Sequence, residues 1–266
     1  MSQTTVASPA AKSIGRTMLN KVPQITLFFW VIKILATTVG ETAADFLATN
    51  LKLGLTKTTF VMGALLSVVL FFQFKTRSYS PALYWLAVVL MSIFGTLITD
   101  NMVDNFGISL WTSTAVFSVA LAATFGAWYA SEKTLSIHSI TTWKREAFYW
   151  LTILFTFALG TAAGDLVAEK LNIGYWKSAL IFAVVIGLMY VAQKYIGLNA
   201  VLAFWAAYIV TRPLGASIGD FLSQDKADGG LELGTTITSF IFLSVILGVV
   251  TFVAISKNDA TPPQHP

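Results

Sequence analysis

Apolar residues run along this chain in eight long stretches, roughly 24–49, 55–74, 81–104, 108–129, 146–169, 175–195, 198–222 and 234–256. A helix needs about 20 apolar residues to cross the hydrocarbon core of a bilayer. The stretches are long and lack the strict alternation of barrel strands, so they predict helices. The first twenty residues are polar and small. The stretch after them exceeds a signal-peptide core and reads as a retained span. The expected fold class is all-α: a polytopic membrane helical bundle of eight transmembrane helices.

A repeat lies over this pattern. Trp30 is followed by Gly40 and Asp45, Trp85 by Gly95 and Asp100, Trp150 by Gly160 and Asp165, and Trp205 by Gly215 and Asp220. The unit is Trp-x9-Gly-x4-Asp, and successive Trp residues are 55, 65 and 55 apart. The ten extra residues fall in the central loop around Ser131–Trp143. Such fixed spacing marks internal duplication. Each unit contains two spans, so all four units enter the membrane in one direction. They are parallel repeats with pseudo-symmetry about the membrane normal, not inverted ones. The expected division is 1–21 a flexible tail, 22–79 repeat 1, 80–137 repeat 2, 138–198 the loop and repeat 3, 199–257 repeat 4, and 258–266 a second tail.

Composition sharpens this picture. Charged residues make up only 11% of the chain, and there is no Cys, against about 25% charged in a soluble domain. Disulfides, thiolate metal sites and Cys nucleophiles are excluded. Only two His exist, His138 and His265, so a zinc or haem site is not expected. The net charge of +4 forms no basic stripe with interleaved aromatics, so nucleic acid is not an expected partner. The expected partners are the lipid bilayer and a small cation, and a homo-oligomer is compatible with the sequence. Basic residues assign the orientation. Lys12, Arg16, Lys21, Lys75, Arg77, Lys133, Lys144, Arg145, Lys194 and Lys257 fall on the side of the termini; Lys52, Lys57, Lys170, Lys177 and Lys226 fall on the other. That bias places both termini in the cytoplasm of a bacterial inner membrane.

The four Trp-x9-Gly-x4-Asp units resemble a family of bacterial membrane proteins of unknown function built from tandem two-helix repeats. The resemblance covers about residues 22–257. It implies an architecture and no activity, so function has to come from the residues.

On a helix, the signature Trp and Asp are separated by roughly 22 Å along the axis and about 60° around it. Trp30, Trp85, Trp150 and Trp205 are expected to be aromatic anchors at a membrane interface, with packing at a central axis as the alternative. Gly40, Gly95, Gly160 and Gly215 are expected at close helix contacts, or at a hinge that frees backbone carbonyls; Pro213, two residues before Gly215, suggests one such break. The acids Asp45, Asp100, Asp165 and Asp220 are the main candidates for chemistry. An ionisable group inside a membrane is costly and needs an explanation. Four residues on, each repeat has Thr49, Asp104, Glu169 or Gln224, on the same helix face. Glu41 lies one turn before Asp45. Together Asp45, Asp100, Asp165, Asp220, Glu41, Asp104 and Glu169 are the candidate cation ligands, with the four signature Asp residues as the metal-binding hypothesis. Each Asp sits near a helix C-terminus, where the dipole disfavours an anion, and Lys33 and Arg212 are the expected compensating charges. Seven residues after each Trp stand Thr37, Ser92, Phe157 and Arg212, too unequal for a simple fourfold pore.

Oxygen-only ligands favour a hard cation such as Mn²⁺, Mg²⁺ or Ca²⁺, or a proton or Na⁺. There is no Gly-x4-Gly-Lys-[Ser/Thr] motif. The reading is a membrane transporter for a divalent metal such as Mn or Mg, or a proton-coupled exporter, and not an enzyme. No tightly bound cofactor is expected, and a metal ion enters as substrate. The alternatives are a structural or sensor module whose Asp residues hold helices together, and a membrane enzyme acting on a lipid-like substrate.

Overall fold

The computed structural model describes residues 20–256, so most of both tails, with Lys12, Arg16, Lys257 and His265, lies outside the described residues. The helices are α1 (Leu27–Asp45), α2 (Leu55–Lys75), α3 (Pro81–Asp100), α4 (Leu110–Glu132), α5 (Trp143–Asp165), α6 (Tyr175–Val191), α7 (Ala200–Ser223) and α8 (Thr235–Ser256). All eight, with the turns that extend them, are long and apolar enough to cross a membrane.

The signature-bearing helices α1, α3, α5 and α7 form an inner ring in which each packs on the next and α7 closes on α1. The second helix of each repeat lies outside. It covers the inner helix of the following repeat: α2 on α3, α4 on α5, α6 on α7, and α8 back on α1. Within the apolar windows, 61–72% of inner-helix residues are buried, against 0–28% for the outer helices. Apolar residues on the outer helices therefore face outward all round, as a lipid solvent requires. The inner–outer hairpins share a local design. A glycine in the left-handed region starts the outer helix at Gly54 (φ 76°) and Gly174 (φ 83°). A hydroxyl one turn later closes back on that glycine's carbonyl, from Thr58 and Ser178.

The signature glycines explain the ring. A Cβ on Gly95 would lie 2.7 Å from Phe157 Cβ on α5, and one on Gly160 would overlap the Arg212 side chain on α7. On Gly215 it would overlap Thr37 of α1, and on Gly40, Ser92 of α3. Each glycine is thus the hole into which the next helix inserts its seventh residue after Trp, and the relation runs once round the ring. The helices continue unbroken through all four glycines, and α7 also continues through Pro213. The four glycines lie at close helix contacts, and the helix is not broken at any of them. The ring of proline instead fills the space beside Gly160 and Gly164.

The tryptophans depart from the interface-anchor expectation. Of the four signature residues, Trp85, Trp150 and Trp205 are buried and Trp30 is partly exposed. They join Phe29, Tyr84, Tyr149, Phe204 and Tyr208 in an aromatic cluster that fills one end of the ring. Four of these rings stand at one level and Tyr208 one turn further along, and edge-to-face pairs such as Tyr84–Trp85 add to the burial. Lys21 is not a free loop charge either. Its amine meets the Glu146 carboxylate at 2.6 Å with both side chains 2% exposed, and Gln73 donates to the same carboxylate. This pair ties the chain before α1 to the start of α5 and the end of α2.

Candidate acidic site

Four residues per step is close to one helical turn, so residues spaced by four share a face. Counting from the signature Trp, the inner helices present one such row to the axis. The level at Trp−1 is Phe29, Tyr84, Tyr149 and Phe204, and at Trp+3 it is Lys33, Val88, Ile153 and Tyr208. Next come Thr37, Ser92, Phe157 and Arg212, and then Glu41, Thr96, Thr161 and Ala216. These levels are buried. The signature Asp residues follow, and Thr49, Asp104, Glu169 and Gln224 close the series. Here burial gives way: Asp220 is 6% exposed, Asp45, Asp100 and Asp165 are half-buried, and Asp104 and Glu169 are exposed. The axis is therefore aromatic at one end, polar in the middle, and acidic where it opens.

The open end is a cavity of about 220 Å³ lined by Glu41, Asp45, Asp100, Asp104, Asp165, Glu169 and Asp220, together with Thr49 and Gln224. Every residue expected as a cation ligand is brought to this one place. At its inner end, ligand oxygens of Glu41, Asp165 and Asp220 all lie within 4.8 Å of one another. In three repeats the Asp is the last residue before a wider π-helical turn, at Phe46–Asn50, Asn101–Asn105 and Leu166–Lys170. That turn carries Thr49, Asp104 or Glu169. In repeat 4 the α-helix runs on to Ser223 instead. Such π turns are frequent at functional sites.

Partners of the acids are few. Gln224 donates to Asp45 at 3.4 Å, and Tyr175 donates to Glu169 at 3.2 Å. Among the described residues, no hydrogen bond or ion pair reaches the carboxylates of Asp100, Asp165 or Asp220.

The two internal cations behave differently from each other. Arg212 is fully buried below the cavity and meets Glu41 at 2.7 Å. It also donates to Thr161 Oγ1 at 2.7 Å, to Thr96 Oγ1, and to the Thr37 carbonyl at 3.2 Å. One guanidinium thus joins all three other inner helices across the axis and plugs it. Lys33 does not compensate a carboxylate, contrary to expectation. Its amine is buried, lies 4.3 Å from the ring centres of Phe157 and Tyr208, and has no hydrogen-bond partner among the described residues. It sits two levels below Glu41 and three below the signature Asp residues in the axial row. Thr96 and Thr161 carry no signature of their own. The position after the signature glycine marks them, because there Glu41 is their counterpart.

An all-helical bundle of four pseudo-symmetric repeats, compatible with a multi-pass membrane protein and centred on an acidic axial cavity, is the class these features define. The chain belongs to the family described as Repeat of Unknown Function (DUF347), whose repeat matches residues 28–79, 83–134, 148–197 and 203–259. Neither a curated protein nor a solved structure matches it.

Proposed function

We propose that this protein is a membrane transporter for a cation, and that the axial carboxylates bind a hard divalent ion such as Mn²⁺ or Mg²⁺ as its substrate. The observation that carries this reading is the convergence of Glu41, Asp165 and Asp220 within 4.8 Å while, among the described residues, no hydrogen bond or ion pair reaches the carboxylates of Asp100, Asp165 or Asp220. Two like charges at that distance repel by about 3–4 kcal/mol at an effective dielectric of 20. Several such pairs need a bound cation or protons to offset them. Carboxylate, hydroxyl and amide oxygens are the ligands hard divalent ions prefer.

In this reading Asp165, Asp220 and Glu41 are the direct ligands, and Asp45 and Asp100 add negative charge beside them. Asp104 and Glu169 at the mouth raise the local cation concentration. Arg212 holds Glu41 in place and closes the axis below. Protons and substrate alternate on the carboxylates, which couples export to proton uptake. The membrane is the bacterial inner membrane, with both termini cytoplasmic and the acidic mouth facing outward.

The test is reconstitution in liposomes with flux measured for Mn²⁺, Mg²⁺, Ca²⁺, protons and organic cations, beside thermal unfolding with and without metal. An ion at about 100 times its Kd should stabilise the fold by about 2.7 kcal/mol. Asp165→Asn and Asp220→Asn should lose both flux and this metal-dependent shift while staying folded. Folded wild-type protein with no cation flux and no metal-dependent shift would overturn the reading. Asn variants that unfold while metal has no effect on wild type would assign the acids to packing instead.

A further inference from the structure

The four outer helices can be aligned on a hydroxyl residue at the fourth position of each, at Thr58, Ser113, Ser178 and Thr238, all buried. In that alignment Leu66, Leu121, Ile186 and Ile246 are equivalent, as are Gln73, Trp128, Gln193 and Val253. In α2, α4 and α8 both positions are buried against the bundle. In α6 they are not: Ile186 is half-exposed and Gln193 exposed. The regular helix stops at Val191 and passes into a π-helical turn, Ala192–Ile196. Around Trp205 the covered arrangement is visible, with Phe125 and Trp128 of α4 at 5.1 and 5.8 Å between ring centres. The corresponding cover over Trp30 would come from Tyr190 and Gln193, and it is missing. Trp30 is accordingly the one signature Trp left partly exposed.

The result is a groove of about 660 Å³ between α6, α7 and the start of α1. Its walls are apolar and include Trp30, Ile186, Tyr190, Val201 and Phe204, while Ser136, His138 and Gln193 stand along it. The volume lies in the range of about 300–1,000 Å³ typical of ligand sites. The charge beside it is positive. Lys194 follows Gln193 directly and holds its amine 5.8 Å from the Tyr190 ring centre. Lys133 is exposed two residues before Leu135, which lines the groove.

We propose that this groove is a binding site for one anionic phospholipid, with an acyl chain along Trp30 and Phe204 and the phosphate at Lys194 and Lys133. The groove faces sideways between membrane-crossing helices, so apolar chains are what surrounds it, and water against its walls is disfavoured. Basic side chains at the head of a groove between spans recognise anionic headgroups. The site is separate from the acidic cavity, which opens at the opposite end of the inner helices, and it stands whether or not a cation is transported.

Native mass spectrometry of the purified full chain, after exchange into mixed micelles of dioleoyl phosphatidylglycerol and dioleoyl phosphatidylcholine, tests it. Wild type should retain one phosphatidylglycerol in preference to phosphatidylcholine. Lys194→Ala and Lys133→Ala should each lower that preference about fivefold, the share of one lysine near an anionic lipid. Gly187→Leu fills the groove from a wall position whose added Cβ meets no atom within 4 Å, and should abolish retention of both lipids at an unchanged unfolding temperature. Equal retention of the two lipids overturns the proposal, as does retention that Gly187→Leu leaves intact. A wild-type dimer by light scattering that Gly187→Leu converts to monomer would assign the groove to a second copy of the chain and overturn it as well. If Gly187→Leu fails to fold, the two lysine variants decide alone: an unchanged preference refutes the proposal.

Discussion

Replacing Arg212 by Met tests the central clamp. The guanidinium is fully buried and serves the Glu41 carboxylate, two threonine hydroxyls and the Thr37 carbonyl. Met keeps the apolar stem and removes the charge. Glu41, itself 6% exposed, is left without its partner, and breaking one side of a buried pair costs about 3–5 kcal/mol. For a chain of this size that is roughly a 6–20 °C fall in unfolding temperature. Glu41→Gln leaves an amide oxygen still able to accept from Arg212, so its cost should be smaller, about 1–3 kcal/mol. The double variant, Arg212→Met with Glu41→Gln, removes both charges and should be more stable than Arg212→Met alone. Thermal unfolding of all four proteins in one detergent, at one scan rate, gives the cycle. A positive coupling of at least about 2 kcal/mol is expected for groups in direct contact. Additive effects, or Arg212→Met unfolding at the wild-type temperature, would refute the clamp.

Two further predictions follow from the inner ring. Gly40→Ala drives a methyl into the Ser92 side chain and should cost about 1–3 kcal/mol by overpacking; Ser92→Gly in the same chain should recover most of it, and failure to recover would refute the knob-and-hole relation. Lys33→Met removes a buried amine that has no acceptor among the described residues and replaces it with a thioether that packs well against aromatic rings. Its unfolding temperature should match or exceed wild type, and a fall equivalent to more than about 2 kcal/mol would mean that the amine is held by more than Phe157 and Tyr208.

Much of this was legible in the chain because the membrane restricts the choices. Eight apolar stretches admit few structures other than helices, and the fixed spacing of Trp, Gly and Asp fixed the register of the repeats. The acids were legible too, since Asp45, Asp100, Asp165 and Asp220 stand at one depth and Glu41 and Glu169 share their row. What could not be read was the order of packing around the axis. Hydrophobicity does not tell a lipid-facing side from a helix-facing one when both are apolar, so nothing local says that α2 covers α3 and α8 covers α1. For the same reason hydrophobicity alone does not separate an interface position for Trp85, Trp150 and Trp205 from the packed one they occupy in the ring. Lys33 and Arg212 look alike as lone charges in apolar helices. Only the identity of the neighbouring rows separates them, Glu41 and two threonines for Arg212, Phe157 and Tyr208 for Lys33.

The knob-and-hole ring also explains how four copies of one unit can share a backbone and differ along the axis. The contact each repeat must keep is the close approach at Gly40, Gly95, Gly160 or Gly215, and it constrains the Cβ end of the incoming residue. Beyond Cβ the side chain is free to project over the glycine toward the axis. Thr37 and Ser92 end there, whereas Phe157 and Arg212 extend inward. The longest of them, Arg212, reaches the level of Glu41, Thr96 and Thr161 and closes the passage that a symmetric ring would leave open. Divergence at this one row therefore changes what lies on the axis without disturbing the helix contacts, while a side chain at any of the four glycines would force the helices apart. The repeated scaffold and the unequal acidic site are in this sense the same feature: the glycine holds the ring, and the residue that fills it decides what the axis can hold.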